Sequence, residues 1–242
     1  MKPEPGIRIL VMRKDNIGDL VCTTPLFASL RHLFPHAFIG ALVTEYNTPV
    51  LAGNPDLDRV WSYQKAKHRG VDESWLGVYA RRARLFWQLN RMNFDWILLP
   101  GGPHPSAVRA ARLLQPRRLL IRSVTPPGAH EVECVLQLIR EMGMLPPSPP
   151  PATRIYPDPA VLSTLPPLPE DDRRLVGVHI SARKPAQRWP AERFSELIRA
   201  LHDRGARVAL FWSPGVSDNP LHPGDDDKAR AILQEVGDLA VT

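Results

Sequence analysis

Two cysteines, Cys22 and Cys134, are all that 242 residues contain. That is too few for a disulfide framework, and their spacing is not that of a metal site. Both are expected to be reduced thiols. No apolar run approaches the roughly 20 residues that span a bilayer. The opening MKPEPGIRIL lacks the apolar stretch and small-residue cleavage site of a secretory signal. These absences read as a soluble cytoplasmic protein. There is no GxGxxG, no Walker loop and no Ser-His-Asp order. The eight histidines are dispersed, and His179 reads as a packed core residue. Basic and aromatic residues do not interleave as in an RNA-recognition motif, so nucleic acid is not expected as a partner.

Positive charge is abundant. The net charge is +6 and the isoelectric point about 9.7, a balance that favours phosphorylated or otherwise anionic partners, including a membrane surface. A solvated basic face is the plainer alternative.

Short apolar runs alternate with amphipathic stretches. Residues 7–12 (IRILVM), 38–43 (FIGALV), 60–63, 96–100 (WILLP) and 119–121 read as strands, the first two buried on both faces of a parallel sheet. Helices are expected over 20–34, with Pro25 near the first turn, and over 75–90, 107–114 and 129–142, the last stopped by Gly143. Such alternation predicts right-handed βαβ units in a doubly wound α/β sheet, with ligands at the carboxyl ends of the strands. Residues 146–172 hold many of the 27 prolines and read as an extended connection. The rhythm then restarts: a buried strand at 175–180, a helix at 190–203 with Pro190 in its first turn and Gly205 as its cap, a strand at 207–212, a helix at 227–236 and a strand from 239. The expected domains are 1–145, a connection at 146–172, and 173–242. The last is shorter than a complete Rossmann-like unit and is expected to be truncated.

Three clusters follow strands. The first is Arg13-Lys14-Asp15-Asn16-Ile17-Gly18-Asp19. Gly18 allows a tight turn or close approach of a ligand. Asp19 reads either as a helix cap or as a general base toward a hydroxyl. The second is SARKPAQRW at 181–189, where Ser181, Arg183, Lys184 and Arg188 precede a helix and suit a diphosphate, with a solvated basic loop as the alternative. The third, SPGVSD at 213–218, puts Asp218, or the run Asp225-Asp226-Asp227, where a ribose would be held. A flexible polar loop is the alternative there.

The order of these segments resembles glycosyltransferase family 9, the heptosyltransferases. The similar stretches are 9–35 (ILVMRKDNIGDLVCTTPLFASLRHLFP), 54–61 (NPDLDRVW), 94–102 (FDWILLPGG), 130–144 (HEVECVLQLIREMGM) and 176–201, with its Arg-Trp-Pro at 188–190. The resemblance implies a GT-B fold, with an N-terminal acceptor domain and a C-terminal domain for a nucleotide-sugar donor, typically ADP-heptose. It implies inverting transfer to a lipopolysaccharide core or related glycan without a metal or other cofactor. Asp19 would be the base, Arg13, Asn16 and Gly18 would position the acceptor, and peripheral association with the inner membrane would follow.

This sequence departs from the family twice. Gln187 stands where the family usually has a phosphate-binding lysine, leaving Arg183, Lys184 or Arg188 to substitute. The family's later Asp-Thr-Gly segment and its histidine are absent. A non-catalytic acceptor- or partner-binding member, or a transferase using another nucleotide sugar, are the other readings.

Overall fold

In a computed structural model of the protein, the described residues are 6–64, 75–123, 128–165, 171–182, 184–217 and 224–242. They form two compact units, Met1–Leu165 and Pro166–Thr242. The prolines up to Leu165 therefore group with the first unit.

The first unit is built on β1 (Arg8–Met12), β2 (Phe38–Thr44), β3 (Arg59–Tyr63), β4 (Trp96–Leu99) and β5 (Arg118–Ile121). They form one parallel sheet in the order β3-β2-β1-β4-β5. Between them run α1 (Ile17–Val21), α2 (Thr24–Leu33), α3 (Trp75–Asn90), α4 (Pro105–Leu113) and α5 (Glu131–Glu141), followed by the short α6 (Pro159–Leu162).

Successive side chains of a strand point to opposite faces, so the apolar runs fill two cores. Ile9 and Val11 join Ile39, Val43 and Leu98 under Phe27 of α2 and Ile139 of α5. Leu10 and Met12 join Leu42, Ile97 and Leu99 under Leu89 of α3 and Ala111 of α4. Strands covered on both faces leave no polar alternation to read.

The helix expected over 20–34 is two helices. Pro25 lacks an N–H and its ring would clash with the carbonyl of residue 21 in a continuous helix. α1 therefore ends at Val21, and Pro25 enters the first turn of α2. Hydroxyls bridge the break: Thr23 Oγ1 donates to the Asp19 carbonyl at 2.8 Å and Thr24 Oγ1 to the Val21 carbonyl at 2.8 Å. Thr24 Oγ1 also accepts the Arg154 N–H at 3.0 Å, tying the proline-rich stretch to this unit.

The second unit holds β6 (Leu175–His179), β7 (Arg207–Phe211) and β8 (Ala240–Val241), parallel and in that order. α7 (Ala191–Asp203) and α8 (Asp226–Val236) cover one face, packing Ile198, Ile232 and Val236 on Val178, Val208 and Leu210. Among the described residues neither helix covers the other face of β6. Leu175, Gly177 and His179 are exposed there, so the expectation that His179 is a core residue fails. Pro190 stands at the N-cap of α7 rather than inside its first turn.

α5 and α7 end alike. Gly143 (φ +83) and Gly205 (φ +77) take the left-handed conformation that favours glycine. Their N–H groups bond Arg140 O and His202 O, both at 2.8 Å, while the next residues, Met144 and Ala206, bond Ile139 O and Leu201 O. This paired closure satisfies carbonyls that a helix end leaves bare.

Gly40 is required by packing alone. A Cβ there would lie 2.5 Å from Cζ3 of the Trp61 ring. That ring is held edge-on against Phe94, with centroids 5.8 Å apart. Gly40→Ala should therefore cost about 1–3 kcal/mol, the usual penalty of overpacking, read as a lower urea midpoint at unchanged slope.

Candidate active site

The order of the first sheet reverses between β1 and β4. Ligands of open parallel sheets bind at such a point, outside the carboxyl ends of the strands. Here that edge is built from the turn after β1, the Gly101-Gly102 turn after β4, Arg122 after β5 and Glu131 at the start of α5.

Arg13 is its centre, with 3% of its side chain exposed. Its Nη2 donates to Glu131 Oε1 at 2.7 Å. Its Nε lies 2.8 Å from Asp15 Oδ2, but off the N–H direction, so the contact is ionic rather than a directed hydrogen bond. Arg122 Nη1 reaches the same Glu131 oxygen at 2.6 Å. Two guanidinium groups thus face the three carboxylates of Asp15, Asp19 and Glu131.

The turn itself is braced from several sides. Asn47 Nδ2 donates to the Asp15 carbonyl at 2.7 Å. A Cβ at Gly101 would lie 2.5 Å from Asp15 Oδ2, so glycine there makes room for that carboxylate. Lys14 Nζ lies 2.6 Å from His104 Nδ1 and 2.5 Å from Ser106 Oγ, at the start of α4.

Asp19 is the third residue of α1, and Asn16 is the N-cap. Asp19 Oδ2 reaches back to accept the Asn16 backbone N–H at 3.1 Å, the carboxylate half of a capping box. Its other oxygen stands 3.8 Å from Arg13 Nη2, beyond hydrogen-bond length, and 36% of the side chain is exposed. Asp19 thus does part of a cap's work while leaving one oxygen open. Gly18 leaves open space: a Cβ there would meet nothing within 4 Å.

The basic loop of the second unit is drawn inward. Arg188 Nε donates to the Ala182 carbonyl at 2.7 Å, and Nη1 lies 3.8 Å from Asp225 Oδ1. Lys184 is exposed and its carbonyl accepts the Gln187 N–H at 2.9 Å. Ser181 Oγ accepts the Ser213 N–H at 2.8 Å. Arg183 and Asp218 lie outside the described residues.

The aspartates expected at a ribose have other partners. Asp226 accepts from Trp212 Nε1 and from the Gly215 N–H, both at 2.9 Å. Asp227 pairs with Arg230 along the helix at 2.7 Å. Asp225 is buried. Lys228, which the sequence reading did not single out, donates to the carbonyls of Ile180 at 3.1 Å and Trp189 at 2.6 Å. Burial holds its ammonium below the usual lysine range, and Arg188 acts in the same direction against the opposing pull of Asp225.

With this geometry in hand, the fold is of the GT-B type: Rossmann-like parallel units in one chain. Residues 117–221 match the family model described as glycosyltransferase family 9 (heptosyltransferase). Lipopolysaccharide heptosyltransferase 3 of Escherichia coli (strain K12) is 25% identical over 222 residues, which are 83% of this chain and 62% of that protein. The chain thus spans somewhat under two thirds of that relative's length. The family 9 glycosyltransferase structure from Veillonella parvula superposes with a TM-score of 0.76 at 17% identity, over 98% of this chain and 68% of that one. E. coli heptosyltransferase WaaC with ADP gives 0.70 at 20% identity, over 97% and 74%. Over residues 117–221 the chain is similar to glycosyltransferase family 9.

Cys22 borders this cluster at the end of α1, half-buried, whereas Cys134 is buried. Burial, then the carboxylates of Glu131 and Asp19, push the Cys22 thiol up, against the pull of Arg13. The thiolate is the reactive form. Cys22 should therefore be the cysteine that iodoacetamide labels in the folded protein. Its labelling at pH 8 should be slower than that of a free thiol, with the rate still climbing above pH 9. Equal labelling of both cysteines, or a plateau near pH 8, would contradict this placement.

Proposed function

We propose that this chain carries the acceptor unit and part of the donor unit of an inverting glycosyltransferase that moves a heptose, or a similar sugar, from ADP-heptose to a lipopolysaccharide core or related surface glycan. The observation behind this reading is the state of Asp19: one carboxylate oxygen fixed by the Asn16 N–H, the other open at the strand-order reversal. Asp19 Oδ1 takes the proton of an acceptor hydroxyl as that oxygen bonds to the anomeric carbon. The bond from that carbon to the nucleoside diphosphate breaks on the opposite side, which inverts the configuration. Asn16 holds the base, Arg13 fixes the turn that carries it, and the open space at Gly18 admits the sugar.

The leaving diphosphate falls to the loop at 181–189, with Lys184 as its exposed cation and Ser181 and Arg188 shaping the loop. Arg183 and Asp218 remain donor-side candidates from sequence alone. No metal or other cofactor enters this scheme. No described helix is long and apolar enough to cross a membrane.

One observation favours a second reading. Arg188 is bonded within its own loop, and Gln187 replaces the family's usual lysine, so among the described residues the 181–189 loop offers few cations. A member that binds acceptor without transferring sugar would look like this.

Asp19→Asn keeps the shape and most of the hydrogen bonding but removes the base. It should lower kcat by roughly 10²–10⁴-fold, the usual worth of a positioned general base, with little change in KM. Transfer at the wild-type rate would remove Asp19 from the chemistry. Calorimetric titration with ADP and ADP-heptose separates the two readings, because the binding-only member gives no heat with either.

A further inference from the structure

The turn after Leu51 and the proline-rich stretch meet on the first unit and enclose a cavity that the transfer scheme does not use. Asn54-Pro55-Asp56 sets one wall. Asn54 Oδ1 accepts the Asp56 N–H at 2.9 Å, an asparagine-headed turn. Arg31 fixes the same turn, donating to the Asp56 carbonyl at 3.2 Å and to Asp58 Oδ2 at 2.8 Å. Asp58 Oδ2 also accepts the Ile39 N–H of β2 at 2.7 Å. The opposite wall is residues 151–156, where proline favours an extended chain. It is anchored by the Arg154 N–H on Thr24 Oγ1 at 3.0 Å. A Cβ at Gly53 would lie 3.5 Å from Tyr156 Cβ, so the walls run close together there.

The cavity between them measures about 430 Å³, within the range of small-molecule sites. In its lining Thr24 and Asn54 are buried, whereas Pro55, Ala152 and Arg154 are exposed, so it opens to solvent. Its lining includes no member of the Arg13 cluster.

Polar groups in this lining are uncommitted. Asn54 is 7% exposed, yet among the described residues its Nδ2 has no hydrogen-bond partner. A buried donor left unpaired costs about 1–3 kcal/mol. The Asp56 carboxylate and the Arg154 guanidinium carry opposite charge in the same lining, yet form no ion pair with each other or with any other described residue. Burial pushes the Asp56 carboxyl up, against the pull of Arg31 and Arg154. A closed ion pair would hold it down instead. The two charges are thus kept apart by walls that backbone hydrogen bonds fix.

Their combination selects the ligand. An anion would satisfy Arg154 but face Asp56 as a like charge, and a cation the reverse. A hydroxyl both donates and accepts. Neighbouring hydroxyls of a sugar ring can therefore serve both charges at once. Tyr156 adds an apolar ring with a polar tip.

We propose that this cavity binds a neutral mono- or disaccharide, its hydroxyls donating to the Asp56 carboxylate and accepting from Asn54 Nδ2 and the Arg154 guanidinium. The transfer scheme uses none of these side chains, so the sugar held here is not the one that reacts.

The test is saturation-transfer NMR on the whole chain with D-glucose, D-galactose, D-mannose and lactose in turn, with glycine and inorganic phosphate as charged competitors. At least one saccharide should receive saturation, and neither competitor should displace it. Arg154→Ala and Asp56→Ala should each raise its Kd by roughly tenfold, the usual worth of a hydrogen bond to a charged group. Asp56→Asn keeps the shape and one accepting oxygen and should raise it less. Circular dichroism and the urea midpoint should be unchanged, as neither side chain is paired. Silence from every saccharide, displacement by glycine or phosphate, or equal Kd values in wild type and variants would overturn the proposal. So would binding lost in Asp19→Asn and kept in Asp56→Ala, which would put the sugar at the transfer site.

Discussion

A guanidinium at a sheet edge, almost wholly out of water, is the constraint on which this site depends. Burying an unpaired charge costs several kcal/mol. Arg13 is buried to 3% exposure and draws in Asp15, Asp19 and Glu131. Meeting that demand joins the turn after β1 to the start of α5, across 118 residues of sequence. Arg122 strengthens the junction by sharing Glu131 Oε1. Asp19 sits at the margin of this cluster, with one oxygen held by the Asn16 N–H and the other 3.8 Å from Arg13 Nη2.

The two units handle polarity at their strand ends differently. In the first, the ionic cluster is bordered by backbone turns, with open space at Gly18 and the Asp15 carboxylate packed closely against Gly101. In the second, the polar groups are largely consumed in shaping loops. Lys228 holds the carbonyls on either side of the 181–189 loop, and Asp226 holds the following one from Trp212 to Gly215. Such bracing fixes the loops by using Arg188 and Lys228 on backbone carbonyls.

The sheet of the first unit was legible because all-apolar runs such as IRILVM and FIGALV have few other places to go in a parallel sheet. The break between α1 and α2 was not, since Pro25 satisfies a first-turn rule in either arrangement and only the hydroxyls of Thr23 and Thr24 make the break inexpensive. His179 was misread because β6 has the same apolar look as β1 yet carries helices on one face only among the described residues. The cluster from Arg13 to Asp19 was singled out from its place after a strand, and the roles given to Arg13, Asn16 and Asp19 came from the resemblance. Glu131 and Arg122 were missed, and Lys14 and Asp15 were named in the cluster without a role, though each follows a strand's carboxyl end or opens the next helix. Gathering polar residues from all such positions is the signal that would have found them. The inward turn of Arg188 and Asp226 depends on loop conformation, which residue type does not disclose.

The central claim is that Arg13 and Glu131 form one energetic unit at this edge. A double-mutant cycle with Arg13→Met and Glu131→Gln, read by urea unfolding, tests it most directly. The account predicts a coupling of about 1–3 kcal/mol between the two changes, as for residues sharing one buried network. Additive effects, within about 0.5 kcal/mol, would show that Arg13 does not rely on Glu131 and that the edge is held together by something else.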